Sequence, residues 1–225
     1  MGITDIWRAQ VDAFATRFQC IAFDTRGAGR SEKPLPRVAY GVKRHAKDLS
    51  AVLDALGVSR VVLIGHSMGG NTALETYALN PARVAGIVFV GSYVSGAQII
   101  GAGNRPEIIR NAVSRLSSRM AFYESVGLPA SIAVEATKWP LYAVLGNAES
   151  FLAFDGVTLL PQVNVPCLIL HGARDIVSPA DPCAHGLRAG LREAELVVLP
   201  DVNHCPMVEA PAECNRHLQR FLARL

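Results

Sequence analysis

Val61-Val62-Leu63-Ile64-Gly65-His66-Ser67-Met68-Gly69-Gly70 decides how this chain folds. Four aliphatic residues closed by a glycine read as a buried parallel strand. The residues that follow, as far as Asn80, read as a helix. Pro81 ends it, because the residue before a proline is pushed out of the α region. Strand, Gly-X-Ser-X-Gly turn and helix together make a nucleophile elbow. Gly65 and Gly69 are expected there because a Cβ at either position would strike the neighbouring strand or helix. The turn lifts the Ser67 hydroxyl to the top of the sheet. It also aims the unpaired N–H groups of the helix N-terminus at any anion that forms there. Gly-X-Ser-X-Gly alone is a common match; the strand before it and the helix after it give it weight.

A serine hydroxyl is a poor nucleophile without a base, and the base needs an orienting acid. Along elbow-bearing chains the order is Ser, then Asp or Glu, then His. Cys167-Leu168-Ile169-Leu170-His171-Gly172 is another apolar strand ending in glycine, and Asp175 follows in its loop. Leu196-Val197-Val198-Leu199 is a further strand, and His204 lies in the loop after it. Ser67, Asp175 and His204 thus fall just beyond the C-terminal ends of three predicted parallel strands, where open α/β sheets bind ligands. Singly, Asp175 reads as a solvated turn aspartate and His204 as a surface-loop histidine. The ordered triple with matched strand context reads as a catalytic set.

Composition narrows the remaining classes. At 225 residues the chain is one domain's worth, with room for an inserted subdomain. Half the residues are hydrophobic and 18% are charged, which fits a globular protein with a large core. The net charge of +3 comes without a basic stripe, so no nucleic-acid partner is expected. Cys20, Cys167, Cys183, Cys205 and Cys214 show no Cys-X-X-Cys spacing and suit a reducing, cytoplasmic setting rather than a disulfide framework. Cys20 and Cys167 fall in predicted strands as small core residues. Cys205 lacks an elbow and is set aside as a nucleophile. Trp7, Arg8, Gln10 and Asp12 interrupt any N-terminal signal region. Met1-Gly2 hints at myristoylation, but position 6 is Ile rather than Ser or Thr. No apolar run approaches membrane-spanning length, so no membrane partner is expected. The six histidines show no zinc-ligand spacing, so neither a metal nor a cofactor is expected.

Taken in order, Asp5 to Phe18 reads as a helix with the stripe Trp7, Val11, Phe14 and Phe18, capped by Thr4 or Asp5. Cys20 to Phe23 reads as a short strand. Asp24 to Pro36 reads as a turn-rich loop whose Gly27 and Gly29 shape the backbone near the site. Arg44 to Gly57 is a helix with the stripe Ala46, Leu49, Leu53 and Leu56, and Gly57 sits at C′. Gly86 to Val90 is the strand after the elbow helix. The character then changes. Between 96 and 158 there is no long β-like run, only short amphipathic pieces such as Glu107–Leu116 and Arg119–Tyr123. Phe122, Tyr123, Trp139, Tyr142 and Phe151 concentrate the aromatics there, most of them as packing, with Trp139 or Tyr142 as pocket candidates. This insertion reads as a helical cap over the site. The expected division is core over 1–95, cap over 96–158 and core again over 159–225. A helix near Ala180–Leu191 and a closing helix at Ala212–Leu225, led in by Pro211, complete the chain.

Gly65-His66-Ser67-Met68-Gly69-Gly70, His171-Gly172-Ala173-Arg174-Asp175, Asn203-His204-Cys205-Pro206 and Asp24-Thr25-Arg26-Gly27-Ala28-Gly29-Arg30-Ser31 resemble the α/β-hydrolase superfamily. The chain looks most like its small esterase, lactonase and cofactor-free haloperoxidase branch. The resemblance covers nearly the whole chain and is weakest between about Ser95 and Thr158. It implies an α/β-hydrolase fold with a mostly parallel sheet of about five strands, flanked by helices and carrying a small cap. The five strands expected are Cys20–Phe23, Val61–Ile64, Gly86–Val90, Cys167–Leu170 and Leu196–Leu199.

The resemblance also implies roles: Ser67 as nucleophile, Asp175 as acid, His204 as base and the Met68 N–H in the oxyanion hole. Members of the family carry about three more strands before this chain's first helix, and the loop after a His-Gly pair donates the second oxyanion N–H. On that alignment Gly2 is a remnant of the pair and Ile3 the donor. A strand would be absent between Cys20–Phe23 and Val61–Ile64. The strand at Cys20–Phe23 is then expected to be poorly paired, with the Asp5–Phe18 helix packed loosely over it, and the chain to be of low stability or to associate through the exposed edge. The reaction implied is hydrolysis of a small uncharged carboxylic ester or lactone in an apolar pocket. Arg26 and Arg30 are the basic residues placed to hold an anion instead. C–C bond hydrolysis and perhydrolysis use the same residues. A truncated or non-catalytic binding protein of the same fold is the alternative, and oligomeric state is left open.

Overall fold

The computed structural model describes residues 2–225. Its sheet is built from β1 (Val61–His66), β2 (Val84–Val90), β3 (Cys167–Gly172) and β4 (Ala194–Leu199), all parallel and side by side in that order. Parallel strands need helical crossovers, which cover both faces and turn the strands into near-continuous apolar runs. β3 buries all of its residues and β2 all but Ala85. Side chains alternate between faces. Ile87, Phe89 and Ile169 pack with Leu63, Leu74 and Leu187 on one face. Val88, Val90, Leu168 and Leu170 pack with Phe14, Leu218 and Phe221 on the other.

The helices in chain order are α1 (Arg8–Phe14), α2 (Val42–Ala55), α3 (Met68–Leu79), α4 (Gly96–Gly101), α5 (Pro106–Ser114), α6 (Leu116–Ser125), α7 (Ala130–Ala133), α8 (Leu141–Ala153), α9 (Cys183–Gly190), α10 (Pro206–Glu209) and α11 (Pro211–Leu222). Among the described residues no helix is long and apolar enough to cross a membrane. α2 closes with a Schellman motif: Val58 N–H donates to Leu53 O at 2.9 Å and Gly57 N–H to Asp54 O at 3.0 Å. Gly57 takes the left-handed conformation (φ +64°) this requires.

The sheet has four strands, not five. Residues 19–25 carry no regular structure, and Cys20 is exposed rather than a core residue. A strand exists only where its N–H and C=O groups meet a neighbour. Here the Gln19–Phe23 segment and β1 line the same cavity and do not pair. The first helix differs too. A 3₁₀ turn at Thr4–Trp7 leads into α1, which stops at Phe14 instead of Phe18. Its buried face is Ile6, Gln10 and Phe14, while Phe18 is 40% exposed. Gln10 sets that rotation, because its amide reaches Met207 O (3.2 Å) and Asn215 Oδ1 (3.0 Å) on α10 and α11. Neither Thr4 nor Asp5 caps by its side chain. Asp24 does so from the loop, accepting the Thr4 N–H at 2.9 Å. Leu56, the C-cap residue of α2, lies outside the buried stripe, at 51% exposure.

Between β2 and β3 the chain runs through α4 to α8, then a 3₁₀ helix at Val157–Gln162. The two ends of this excursion are clamped together. Gly96 N–H donates to Phe154 O at 2.8 Å and Gly156 N–H to Val94 O at 3.0 Å, around an antiparallel bridge between Ser95 and Asp155. Inside it, the buried Arg119 guanidinium donates to the carbonyls of Val113 (2.8 Å), Ala136 (3.0 Å) and Trp139 (2.8 Å). These bonds to main-chain oxygens offset the cost of taking the charge out of water and tie α6 to the segment before α8.

Candidate active site

Ser67 stands between β1 and α3 with φ +54° and ψ −124°, a backbone region that non-glycine residues rarely adopt. Its surroundings over-determine the strain. Ser67 N–H donates to Val90 O at 2.8 Å, and Ser67 O accepts from Ser92 Oγ (2.8 Å) and Gly70 N–H (2.9 Å). Gly65 makes the turn sterically open, since a Cβ there would lie 2.2 Å from the backbone of Gly69. The companion expectation for Gly69 is overturned: a Cβ at that position would meet nothing within 4 Å.

Asp175 and His204, 29 residues apart, meet at the C-terminal ends of β3 and β4, with His204 Nδ1 2.8 Å from Asp175 Oδ2. The carboxylate is almost fully buried and every lone pair has work. Oδ1 accepts from the Val177 (2.9 Å) and Ser178 (2.8 Å) N–H groups, an Asx-type turn. Oδ2 also accepts from Ser178 Oγ at 2.9 Å and lies 3.3 Å from His171 Nε2. Burial works to raise the Asp175 pKa, but His204 and His171 outweigh it, and the carboxyl is held well below the usual range. His66, the residue before the elbow serine, backs this arrangement. Burial holds its pKa well below the ordinary histidine value. A neutral ring with its proton on Nε2 then donates to His204 O at 2.8 Å.

Ser67 and His204 line one cavity of about 730 Å³, with no hydrogen bond between Ser67 Oγ and the His204 ring. Met68 and Ile3, the two expected oxyanion donors, line it as well, and no hydrogen bond in the described structure uses either N–H. Trp139 lines the cavity; Tyr142 does not, since its hydroxyl donates to Lys33 O at 2.8 Å. Neither basic candidate lines the cavity. Arg26 forms a fork with Asp48 at 2.9 and 2.6 Å, and the Arg30 side chain is 94% exposed. Burial pushes the Cys205 thiol up to about 12, so it stays protonated and non-nucleophilic at neutral pH. The sequence reading gave no role to Ser178 or His171. The Asp175-Ile176-Val177-Ser178 spacing is the one local signal that a turn would return a hydroxyl to the carboxylate.

Residues 1–107 match the family described as alpha/beta hydrolase fold. A protein of Caulobacter vibrioides named "Putative carbamate hydrolase RutD" is 36% identical over 241 residues, covering 98% of this chain and 86% of that protein. Among solved structures, bromoperoxidase from Bacillus anthracis superposes with TM-score 0.88 at 22% identity, covering 98% of this chain and 88% of that one. Est816, titled an N-acyl homoserine lactone degrading enzyme, gives TM-score 0.83 at 27% identity, covering 97% of this chain and 88% of that one. With the strained elbow serine, the parallel sheet and a 36% identical relative covered over most of its length, this chain belongs to the α/β-hydrolase superfamily and is a hydrolase.

Proposed function

We propose that the chain hydrolyses a small, uncharged carboxylic ester or lactone through an acyl-enzyme on Ser67. The observation that carries this reading is the Asp175–His204 pair at 2.8 Å, opening on the same cavity as a serine held at positive φ. In the proposed cycle Ser67 Oγ attacks the carbonyl carbon while His204 Nε2 takes its proton. Asp175 keeps the other ring proton on Nδ1 and stabilises the imidazolium. The Met68 and Ile3 N–H groups receive the oxyanion, each worth about 10²–10³ in rate. His204 then returns the proton to the leaving alcohol and activates the water that cleaves the acyl-enzyme. Residues 96–158 act as the cap and the rest as the core. The largely aliphatic and aromatic cavity wall favours a neutral substrate, and the lactone branch has support in the likeness to Est816. Five unpaired cysteines fit the reducing cytoplasm.

A fluorophosphonate probe tests the mechanism. It should label the wild type and spare Ser67→Ala, whose turnover of a short-chain aryl ester should fall by about 10⁴ or more while its circular dichroism is unchanged. Labelling that persists in Ser67→Ala, or a wild type that neither labels nor turns over such esters, would sink the reading.

The name of the Caulobacter relative favours a second substrate class, a carbamate. The same residues would then form a carbamoyl-enzyme, which hydrolyses more slowly than an acyl-enzyme because nitrogen donates into the carbonyl. An aryl carbamate should give a stoichiometric burst of phenol followed by slow turnover. A burst absent at high enzyme concentration removes this reading and leaves the ester one standing.

A further inference from the structure

The wall that the insertion presents to the cavity is mainly hydrocarbon: Ile109, Val113, Trp139, Val144, Ala148 and Phe151. Asn147, on α8, interrupts it. Its Oδ1 lies 2.8 Å from Nε2 of His45, a residue of α2 that is 2% exposed. His45 Nδ1 is buried with no partner among the described residues. A stranded N–H is rarer and costlier than a stranded lone pair, so the ring proton belongs on Nε2. Burial, the largest influence, lowers the His45 pKa and keeps the ring neutral. This tautomer makes Nε2 a donor and fixes which way the Asn147 amide faces. Oδ1 takes the histidine proton, and the NH₂ group is left over. Asn147 Nδ2 makes no hydrogen bond to any of the described residues, and it is not among the buried polar atoms sealed from solvent, unlike His45 Nδ1. It is an oriented, unspent pair of donors in a largely apolar wall, which also carries the Trp139 indole N–H and Tyr123.

We propose that Asn147 is a specificity-determining residue whose NH₂ group donates to a second oxygen acceptor of the substrate, an ether or carbonyl oxygen separate from the scissile carbonyl. The proposal rests on the hydrolase reading above and sharpens it. The preferred substrates are acyl or alcohol groups bearing such an oxygen, in preference to all-carbon groups of the same shape. Two facts shape the expected effect. A hydrogen bond made in a desolvated wall contributes modestly, but leaving a donor there without a partner costs the full desolvation of that group. His45 is the positioning residue, acting through the amide it orients.

The experiment compares isosteric pairs. On the acyl side these are 4-nitrophenyl methoxyacetate and 4-nitrophenyl butyrate; on the alcohol side, 2-methoxyethyl acetate and butyl acetate. Intrinsic reactivity cancels when the ratio of kcat/KM within a pair is compared between enzymes. In Asn147→Ala and Asn147→Asp the oxygen-bearing partner's advantage should fall about tenfold in at least one pair. Asn147→Asp keeps an oxygen for His45 while removing the donors, so it separates the recognition role from a mere tie between α8 and α2. Rates that fall together with the ratio unchanged in both pairs would overturn the proposal, as would no change at all. A second readout does not depend on turnover or on a variant at Asn147. In Ser67→Ala, the Asn147 side-chain NH₂ resonances should shift on titration with ethyl methoxyacetate or 2-methoxyethyl acetate, and less with ethyl butyrate or butyl acetate. Equal shifts within each pair would again overturn it. If the wild type turned over none of the four esters while this difference in shift persisted, the hydrolytic reading would fail and the recognition site would stand.

Discussion

The two sides of the cavity are held by different means. On the C-terminal side, β3 and β4 pair through six residues in unbroken register, and the loops that leave them are closed by side chains. Asp175 takes two backbone N–H groups, Glu209 takes those of Asn203 and Cys205, and the Asn203 amide donates to Ser125 O. On the N-terminal side, Gly2 and Ile3 reach the cavity with no sheet partner. Gly2 O accepts from Thr25 N–H (2.7 Å) and Thr25 Oγ1 (3.3 Å), and Asp24 receives the Thr4 N–H. The β1 edge on that side is bare, and its register with β2 slips between Val61 and Val62. The proposed acid–base pair thus stands on the sheet, and the proposed second oxyanion donor stands on a loop. Position past the end of a paired strand is fixed by many cooperative bonds; position set by two or three polar contacts opens at lower free energy.

The largest expected effect breaks the ordered side. Asp175→Asn should lower kcat by about 10⁴ because the amide no longer selects the productive His204 tautomer. Oδ1 of the amide can still accept from Val177 and Ser178, so the fold should persist, which circular dichroism checks. The variant also tests the depressed carboxyl pKa. A folded pKa below the unfolded one adds stability above the unfolded value, about 3.9, and loses it as pH falls through the folded value. Urea midpoints should therefore fall more steeply below about pH 4 in the wild type than in Asp175→Asn. Equal slopes would mean that the carboxylate is not the acid-labile element on this side.

A smaller effect is expected where the loop does the holding. Asp24→Ala removes the acceptor for the Thr4 N–H and for the Arg30 N–H (2.8 Å). kcat should drop by up to about 10², less than losing a donor outright and much less than Asp175→Asn. Amide hydrogen exchange separates the two sides directly. Protection over residues 2–25 should be lower than in β2 and β3, and should fall further in Asp24→Ala with β2 and β3 unchanged. Uniform protection would erase the contrast.

The same contrast explains what was legible in the sequence. β2 and β3 announce themselves as aliphatic runs because strands covered on both faces have nowhere to place polar residues, and β1 and β4, though partly exposed, carry aliphatic runs as well. The elbow serine, Asp175 and His204 follow from those runs, since each lies in the turn or loop after one. The Cys20–Phe23 segment carries the same apolar composition but has no neighbour to pair with, and composition cannot report a missing neighbour. The rotation of α1 was hidden for a related reason. Gln10 looks like a solvent-facing residue until Met207 and Asn215 arrive from about two hundred residues away to satisfy it. The motif names two glycines, but only Gly65 meets backbone.

The smallest expected effect concerns the bare edge itself. Ile64, on β1, is 37% exposed and lines the cavity together with Ile21 and Phe23. An apolar strand edge without a partner is a template for another chain, and natural edges are commonly blunted by lysine. Ile64→Lys places a charge there. Its stem can lie along the apolar wall while the ammonium reaches water, so the change in stability should be within about 1 kcal/mol. Sedimentation velocity should show the wild type associating as concentration rises, and Ile64→Lys remaining monomeric over the same range. The urea midpoint of the wild type should also be low for a domain of this size, because the unpaired groups of β1 each forgo a bond of about 1 kcal/mol. A wild type that stays monomeric and unfolds cooperatively at an ordinary midpoint would show that the N-terminal side is as well satisfied as the C-terminal one. The comparison would then have to be redrawn with the Gln19–Phe23 segment pairing with β1 in solution.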